Sequence, residues 1–164
     1  MRSIAVTVFL MITAFVVTCA AQDRKYIVMK RATPAANNAP FSEAVLVGDT
    51  LHIAGHIGLD PATGKPGATP EEEARLVMEA FKRTVEAAGM NMDDVVSVQV
   101  FCSDVSFYDA FNGVYRTYFH GNFPARAFLG SGKLLFNARF EVLGLAVRKP
   151  LKHSEAGPQP KPKP

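Results

Sequence analysis

Apolar and polar positions follow a regular pattern through the middle of the chain that neither end shares. Ala44-Val45-Leu46-Val47 and Thr50-Leu51-His52-Ile53-Ala54 are β-rich runs on either side of Gly48-Asp49. That layout predicts a hairpin, because glycine tolerates the positive φ of a tight two-residue turn. Residues 60–67 contain two prolines and two glycines and read as a loop. A helix with clear ends follows. Thr69 is its N-cap candidate, Pro70 takes the first helical position, and Glu71, Glu72 and Glu73 complement the positive end of the dipole. Ala74, Val77, Met78, Phe81, Val85 and Ala88 form one apolar stripe, and Gly89 closes the helix.

Beyond that helix, Val96, Val98, Val100 and Cys102 alternate with Ser97 and Gln99, the period of a strand over 95–103. A second helix is predicted over 106–119, with Phe107, Phe111, Val114 and Tyr118 on one face. Residues 124–129 and 138–147 read as two closing strands. The predicted order is β-β-α-β-α-β-β, an α+β domain in which two helices cover one face of a mixed sheet. Several strands, notably 140–147, are apolar on both parities. The second face therefore also needs cover, which neighbouring subunits would supply.

The ends change the picture of charge and location. Arg2, an apolar run from Ile4 to Val17 and small residues at Ala20 and Ala21 have the layout of a secretory signal peptide over residues 1–21. A periplasmic or secreted protein is the resulting expectation. A retained anchor or a lipidated Cys19 would instead tie the chain to a membrane. Residues 22–33 are a lead-in, 34–148 the domain, and 149–164 a tail with five prolines and four lysines that offers almost nothing to bury. The formal charge of the whole chain is +3, yet between Gln22 and Val147 there are twelve Lys and Arg against fourteen Asp and Glu, a net −2. A basic face for nucleic acid is not expected. Cys102 is alone in the mature domain and reads as a small buried hydrophobe. His52 and His56, four apart on a strand, would stand ~13 Å apart, too far to share a metal.

Seven segments carry a resemblance. They are Ala39-Pro40-Phe41-Ser42-Glu43-Ala44, Ile53-Ala54-Gly55-His56-Ile57, Leu59-Asp60-Pro61-Ala62-Thr63-Gly64, Val85-Glu86-Ala87-Ala88-Gly89, Asp94-Val95-Val96, Pro124-Ala125-Arg126 and Phe140-Glu141-Val142. In order and spacing, residues 34–148 resemble the Rid family, the reactive-intermediate deaminases also called YjgF proteins. The resemblance implies a chorismate-mutase-like fold, a homotrimer and sites in the clefts between subunits. It implies hydrolysis of imines and enamines such as 2-aminoacrylate to a 2-keto acid and ammonia, with no metal or organic cofactor.

Carried over residue by residue, the resemblance makes Arg126 the carboxylate anchor, a role that suits the planar fork of a guanidinium. Glu141 becomes the group that positions or activates water. Gly55 becomes a point of close backbone approach and Asn112 a polar residue of the cleft. Phe41 stands where the best-known deaminases have Tyr, and Ala54 where they have Ser. Phe128, on the same strand face as Arg126, stands where smaller or polar residues are usual. Structural alternatives exist for each: Glu141 neutralising Arg139, Gly55 as a bulge, Asn112 as a solvated helix residue. Three other functions share the scaffold: a non-enzymatic keto-acid binding module, a ribonuclease and, from fold alone, a chorismate mutase. The acidic balance and the lack of a His-based acid–base pair oppose the ribonuclease.

Export generates the first test. Mass spectrometry of the mature protein is expected to show an N-terminus at Ala21 or Gln22. An intact Met1 form recovered from the cytoplasm would refute it.

Overall fold

The computed structural model describes residues 23–29 and 39–149. Residues 1–21, expected to be a signal peptide, and the tail from residue 150 onward lie outside the described residues. Among the described residues no helix is long and apolar enough to cross a membrane.

Six strands form one sheet in the order β1-β2-β3-β6-β4-β5: β1 Arg24–Ile27, β2 Ala44–Val47, β3 Thr50–Ile57, β4 Val95–Cys102, β5 Ala125–Gly130 and β6 Phe140–Val147. Helices α1, Pro70–Ala87, and α2, Tyr108–Tyr115, complete the fold. All pairings are antiparallel except β4 with β5. The α+β class and the mixed sheet with two helices are those expected.

Three expectations need correction. The lead-in holds a strand: β1 pairs with β2 from Arg24↔Val47 to Ile27↔Ala44, so the order begins with three strands. Its Arg-Lys-Tyr-Ile sequence carries no alternation and owes its form to the neighbouring edge. Val96 does not share the inward parity of Val98. It is 45% exposed while Val95 is buried, because the β4–β6 register shifts between Val95 and Ser97. The second helix is α-helical only over Tyr108–Tyr115, flanked by single 3₁₀ turns at Val105–Phe107 and Arg116–Tyr118.

Helix α1 starts and stops as its sequence dictates. The Thr69 hydroxyl accepts from Glu72 N at 3.2 Å, and the Glu72 carboxylate accepts from Thr69 N at 3.3 Å. Such a capping box contributes on the order of 1 kcal/mol. Gly89, at φ +73, ends the helix in the left-handed region that side chains avoid. The apolar stripe from Ala74 to Val85 is fully buried. Phe81 packs against Gly144, where a Cβ would lie 3.1 Å from its ring, and Phe111 of α2 meets Phe140 with ring centres 4.9 Å apart. Both helices therefore cover the sheet face of Phe140, Val142 and Gly144. The other face carries Glu141, Leu143 and Leu145 of β6 with Gln99 and Phe101 of β4, only partly shielded.

Helix, loop and central strand meet at Glu73. Its carboxylate is fully buried and accepts from the backbone N–H of Arg139, from Phe140 N at 3.0 Å and from Arg139 Nη1 at 2.7 Å. Arg139 also donates to the Gly67 and Ala68 carbonyls. Glu73→Ala removes the acceptor for two backbone donors and strands the Arg139 guanidinium. A loss of about 3 kcal/mol is expected, seen as a melting temperature lower by roughly 10 °C. A melting curve within 2 °C or so of the parent would show that water replaces the carboxylate.

Candidate functional site

Arg126 is the second residue of β5, an edge strand. It lies level with Val98 of β4, which puts it on the helix-covered face beside α2. Its Nη2 donates to Asn112 Oδ1 at 2.8 Å. Its guanidinium carbon lies 4.5 Å from the Tyr115 ring centre and 5.8 Å from those of Tyr108 and Phe128. Cation–π contact of this kind fixes the plane of the fork as well as adding attraction. Among the described residues no carboxylate pairs with Arg126, so its positive charge is held in place without being neutralised.

Tyr108, Asn112 and Tyr115 are spaced i, i+4 and i+7, one stripe of α2. Sequence reasoning found Asn112 and passed over both tyrosines. The signal was that same spacing, hidden behind the more apolar stripe of Phe107, Phe111 and Val114. Tyr115 is buried, and among the described residues its hydroxyl has no hydrogen-bond partner. Burial pushes this phenol up to about 12, against the lowering influence of Arg126. Phe128 packs edge-to-face on Tyr108 at 5.0 Å and on Phe111 at 5.7 Å.

Glu141 occupies the second position of β6, opposite Ile57 of β3 and Phe101 of β4. Val98 and Phe101 are three residues apart on one strand, so their side chains point to opposite faces. Arg126 and Glu141 consequently lie on opposite faces of the sheet. One chain does not bring them to one small ligand.

Gly55 belongs with Glu141. It sits where the β3–β6 register shifts between Ile53 and His56, so the bulge reading holds. The space left by its missing side chain is filled by the Glu141 carboxylate: a Cβ there would overlap Oε1 and lie 3.0 Å from Cδ. The alternative in which Glu141 neutralises Arg139 is overturned, since Arg139 pairs with Glu73 through Nη1 at 2.7 Å. Among the described residues Glu141 has no ion-pair partner. Phe41 is 53% exposed ahead of β2 and is not one of the rings around Arg126.

Two further titratable groups, Cys102 and His56, are buried in the fold. Cys102 is buried, its thiol raised chiefly by that burial, and donates to the Asp104 carbonyl at 2.9 Å. The same register shift that holds Gly55 turns His56 inward, with Nδ1 3.6 Å from Glu43 Oε2, while His52 stays exposed. No cluster among the described residues could hold a metal ion.

A single mixed sheet under two helices, with an unneutralised arginine on one face and a carboxylate on the other, defines a class of α+β domain. Comparison makes that class specific. Residues 30–148 match the family model described as Endoribonuclease L-PSP, and the chain belongs to this family, the YjgF/Rid proteins. It is 38% identical over 129 residues to the 2-iminobutanoate/2-iminopropanoate deaminase of Rattus norvegicus, covering 77% of this chain and 92% of the rat protein. Among solved structures, the YjgF gene product of E. coli superposes with a TM-score of 0.69 at 28% identity, covering 76% of this chain and 99% of that one. E. coli TdcF with bound serine gives 0.68 at 27% identity, covering 76% and 100%.

Glu141 resting over Gly55 yields a prediction. Ordinary carbon contacts lie at about 3.5–4.0 Å, so the methyl of Gly55→Ala must push the carboxylate aside by about 1 Å or more. The carboxylate is the free end of a side chain, so the fold should survive. A crystal structure of the variant with Glu141 unmoved would contradict this packing.

Proposed function

We propose that this chain hydrolyses reactive 2-imino acids and their enamine tautomers, such as 2-aminoacrylate, to 2-keto acids and ammonia. Its site forms where Arg126 of one subunit faces Glu141 and Gly55 of the next in a homotrimer. The observation that carries this reading is the state of Arg126. Asn112 and three rings hold its guanidinium rigidly, and no acidic group of the described residues neutralises it, the condition of an arginine kept for an anionic ligand. The two half-sites on opposite sheet faces support assembly, because stacking one chain's open face on another's edge would bring them together. The half-shielded Leu143, Leu145 and Phe101 supply apolar surface for that contact. The rat relative's name supports the imine chemistry. Serine bound to TdcF supports a small ligand bearing a carboxylate.

The reaction asks little of the protein. Arg126 grips the carboxylate of the substrate in its plane with two charge-assisted bonds and leaves the C=N carbon facing the neighbour's Glu141. Glu141 accepts a proton from water as its oxygen bonds to that carbon. Glu141 passes that proton to the nitrogen, and the C–N bond breaks as the hydroxyl proton moves to the departing nitrogen, releasing ammonia and the keto acid. No metal or organic cofactor enters these steps. The ribonuclease activity in the family's description finds no support in a domain with a net charge of −2. Export remains part of the proposal and rests on residues 1–21 alone.

Arg126→Lys keeps the charge and loses the fork, so kcat/KM should fall by roughly ten- to a hundredfold, the worth of one charge-assisted bond of ~1.5–3 kcal/mol. Glu141→Gln should lower kcat more than affinity. Mixed oligomers of Arg126→Ala and Glu141→Gln chains should regain activity, because some clefts then contain both native residues. A folded Arg126→Ala oligomer with unimpaired hydrolysis removes the mechanism. Native keto-acid binding without turnover would favour the binding-module reading instead.

A further inference from the structure

We infer that the paired rings of Tyr108 and Phe128 form the specificity wall of the Arg126 site, selecting 2-imino and 2-keto acids with an aromatic or large aliphatic side chain over those with a methyl group. The inference deepens the proposed function, and its binding arm does not depend on catalysis.

Three observations lead there. Phe128 is two residues from Arg126 on one strand, so both side chains rise from the same face about 7 Å apart. An acid gripped by Arg126 through its carboxylate has its α-carbon, and whatever that carbon bears, within reach of the Phe128 ring. The guanidinium carbon is also equally distant, at 5.8 Å, from the Tyr108 and Phe128 ring centres. The two rings therefore border one space rather than two. Tyr115, at 4.5 Å and buried, blocks the opposite approach.

Phe128 is a wall and not a lid. Its edge-to-face contacts with Tyr108 at 5.0 Å and with buried Phe111 at 5.7 Å hold it back against α2. Swinging across the guanidinium would break both. Tyr108 meanwhile remains 45% exposed and Phe128 is only partly covered. Within one subunit this apolar ring surface beside a charged anchor stands open toward the cleft, where a ligand held by Arg126 would cover it. A methyl group is too small to do so, whereas a benzyl or isobutyl group can. Each methylene buried against such a wall changes affinity about fourfold, and a whole side chain by roughly tenfold or more.

The test is calorimetric titration of the full chain with phenylpyruvate, 4-methyl-2-oxopentanoate and pyruvate. Alongside it runs hydrolysis of the imines freshly made from phenylalanine, leucine and alanine by an amino-acid oxidase. Phenylpyruvate is expected to bind at least about tenfold more tightly than pyruvate. Tyr108→Ala, a change on the exposed rim that does not threaten folding, should cut that ratio to about threefold or less. Phe128→Leu should narrow the preference for phenylpyruvate over 4-methyl-2-oxopentanoate. Equal binding of all three acids, or tighter binding of pyruvate, overturns the wall while leaving the deaminase reading intact if the imines are hydrolysed. A preference for phenylpyruvate with no hydrolysis of any imine upholds the wall and removes the deaminase. A Tyr108→Ala protein with an unchanged ratio also overturns the inference.

Discussion

The buried carboxylate of Glu73 ties together the parts of the molecule that must not move relative to one another. It projects from the first turns of α1, receives the backbone donors at the start of β6, and holds the Arg139 guanidinium that in turn clasps the 67–68 loop. Buried charge is costly unless every lone pair is used, and here backbone and guanidinium donors together meet that demand. The consequence is positional. Arg139 is occupied, so it cannot neutralise Glu141 two residues on. The first residues of β6 are pinned, so the alternation of the strand sends Glu141 to the open face and Phe140 into the core.

That alternation places the two candidate site residues. Arg126 shares the parity of Val98 and is steadied by α2, while Glu141 shares the parity of Phe101 and rests over Gly55. A monomer thus holds two well-made halves that face away from each other. The open sheet face, with its apolar side chains only partly shielded, offers the surface on which a second copy can bring opposite halves together. In the proposed trimer the assembly would create the site, so that loss of association and loss of chemistry would be one event.

The neighbourhood of Arg126 holds a charge in place without neutralising it. A guanidinium in an ordinary ion pair is already satisfied. Here an amide oxygen takes one donor, aromatic rings take the faces, and the remaining donors keep their capacity for an anion. The buried Tyr115 hydroxyl, its phenol raised to about 12 by that burial, stays neutral at working pH and so does not compete as a counter-charge. Rings that steady the arginine also border the space beside it, so in the proposed site binding strength and side-chain selectivity would be coupled.

Local rules settled much of this in the sequence alone. Thr69, Pro70 and Gly89 fix α1 because capping and left-handed termination depend on neighbours along the chain, and the alternation of Val98, Val100 and Cys102 fixes β4 because only one parity can face the core. The motifs carrying Arg126, Glu141 and Gly55 were legible as well, and Asn112 as a single matching position outside them. Contacts between distant segments were not. Strand β1 exists only because the edge of β2 offers it hydrogen bonds, and the shift at Val95–Ser97 reflects how β4 must meet β6. Which acid holds Arg139, what surrounds Arg126, and that Arg126 and Glu141 face opposite ways depend on register across strands far apart in the chain. Sequence periodicity states that a residue alternates; only the paired strand decides which face, and which partner, it meets.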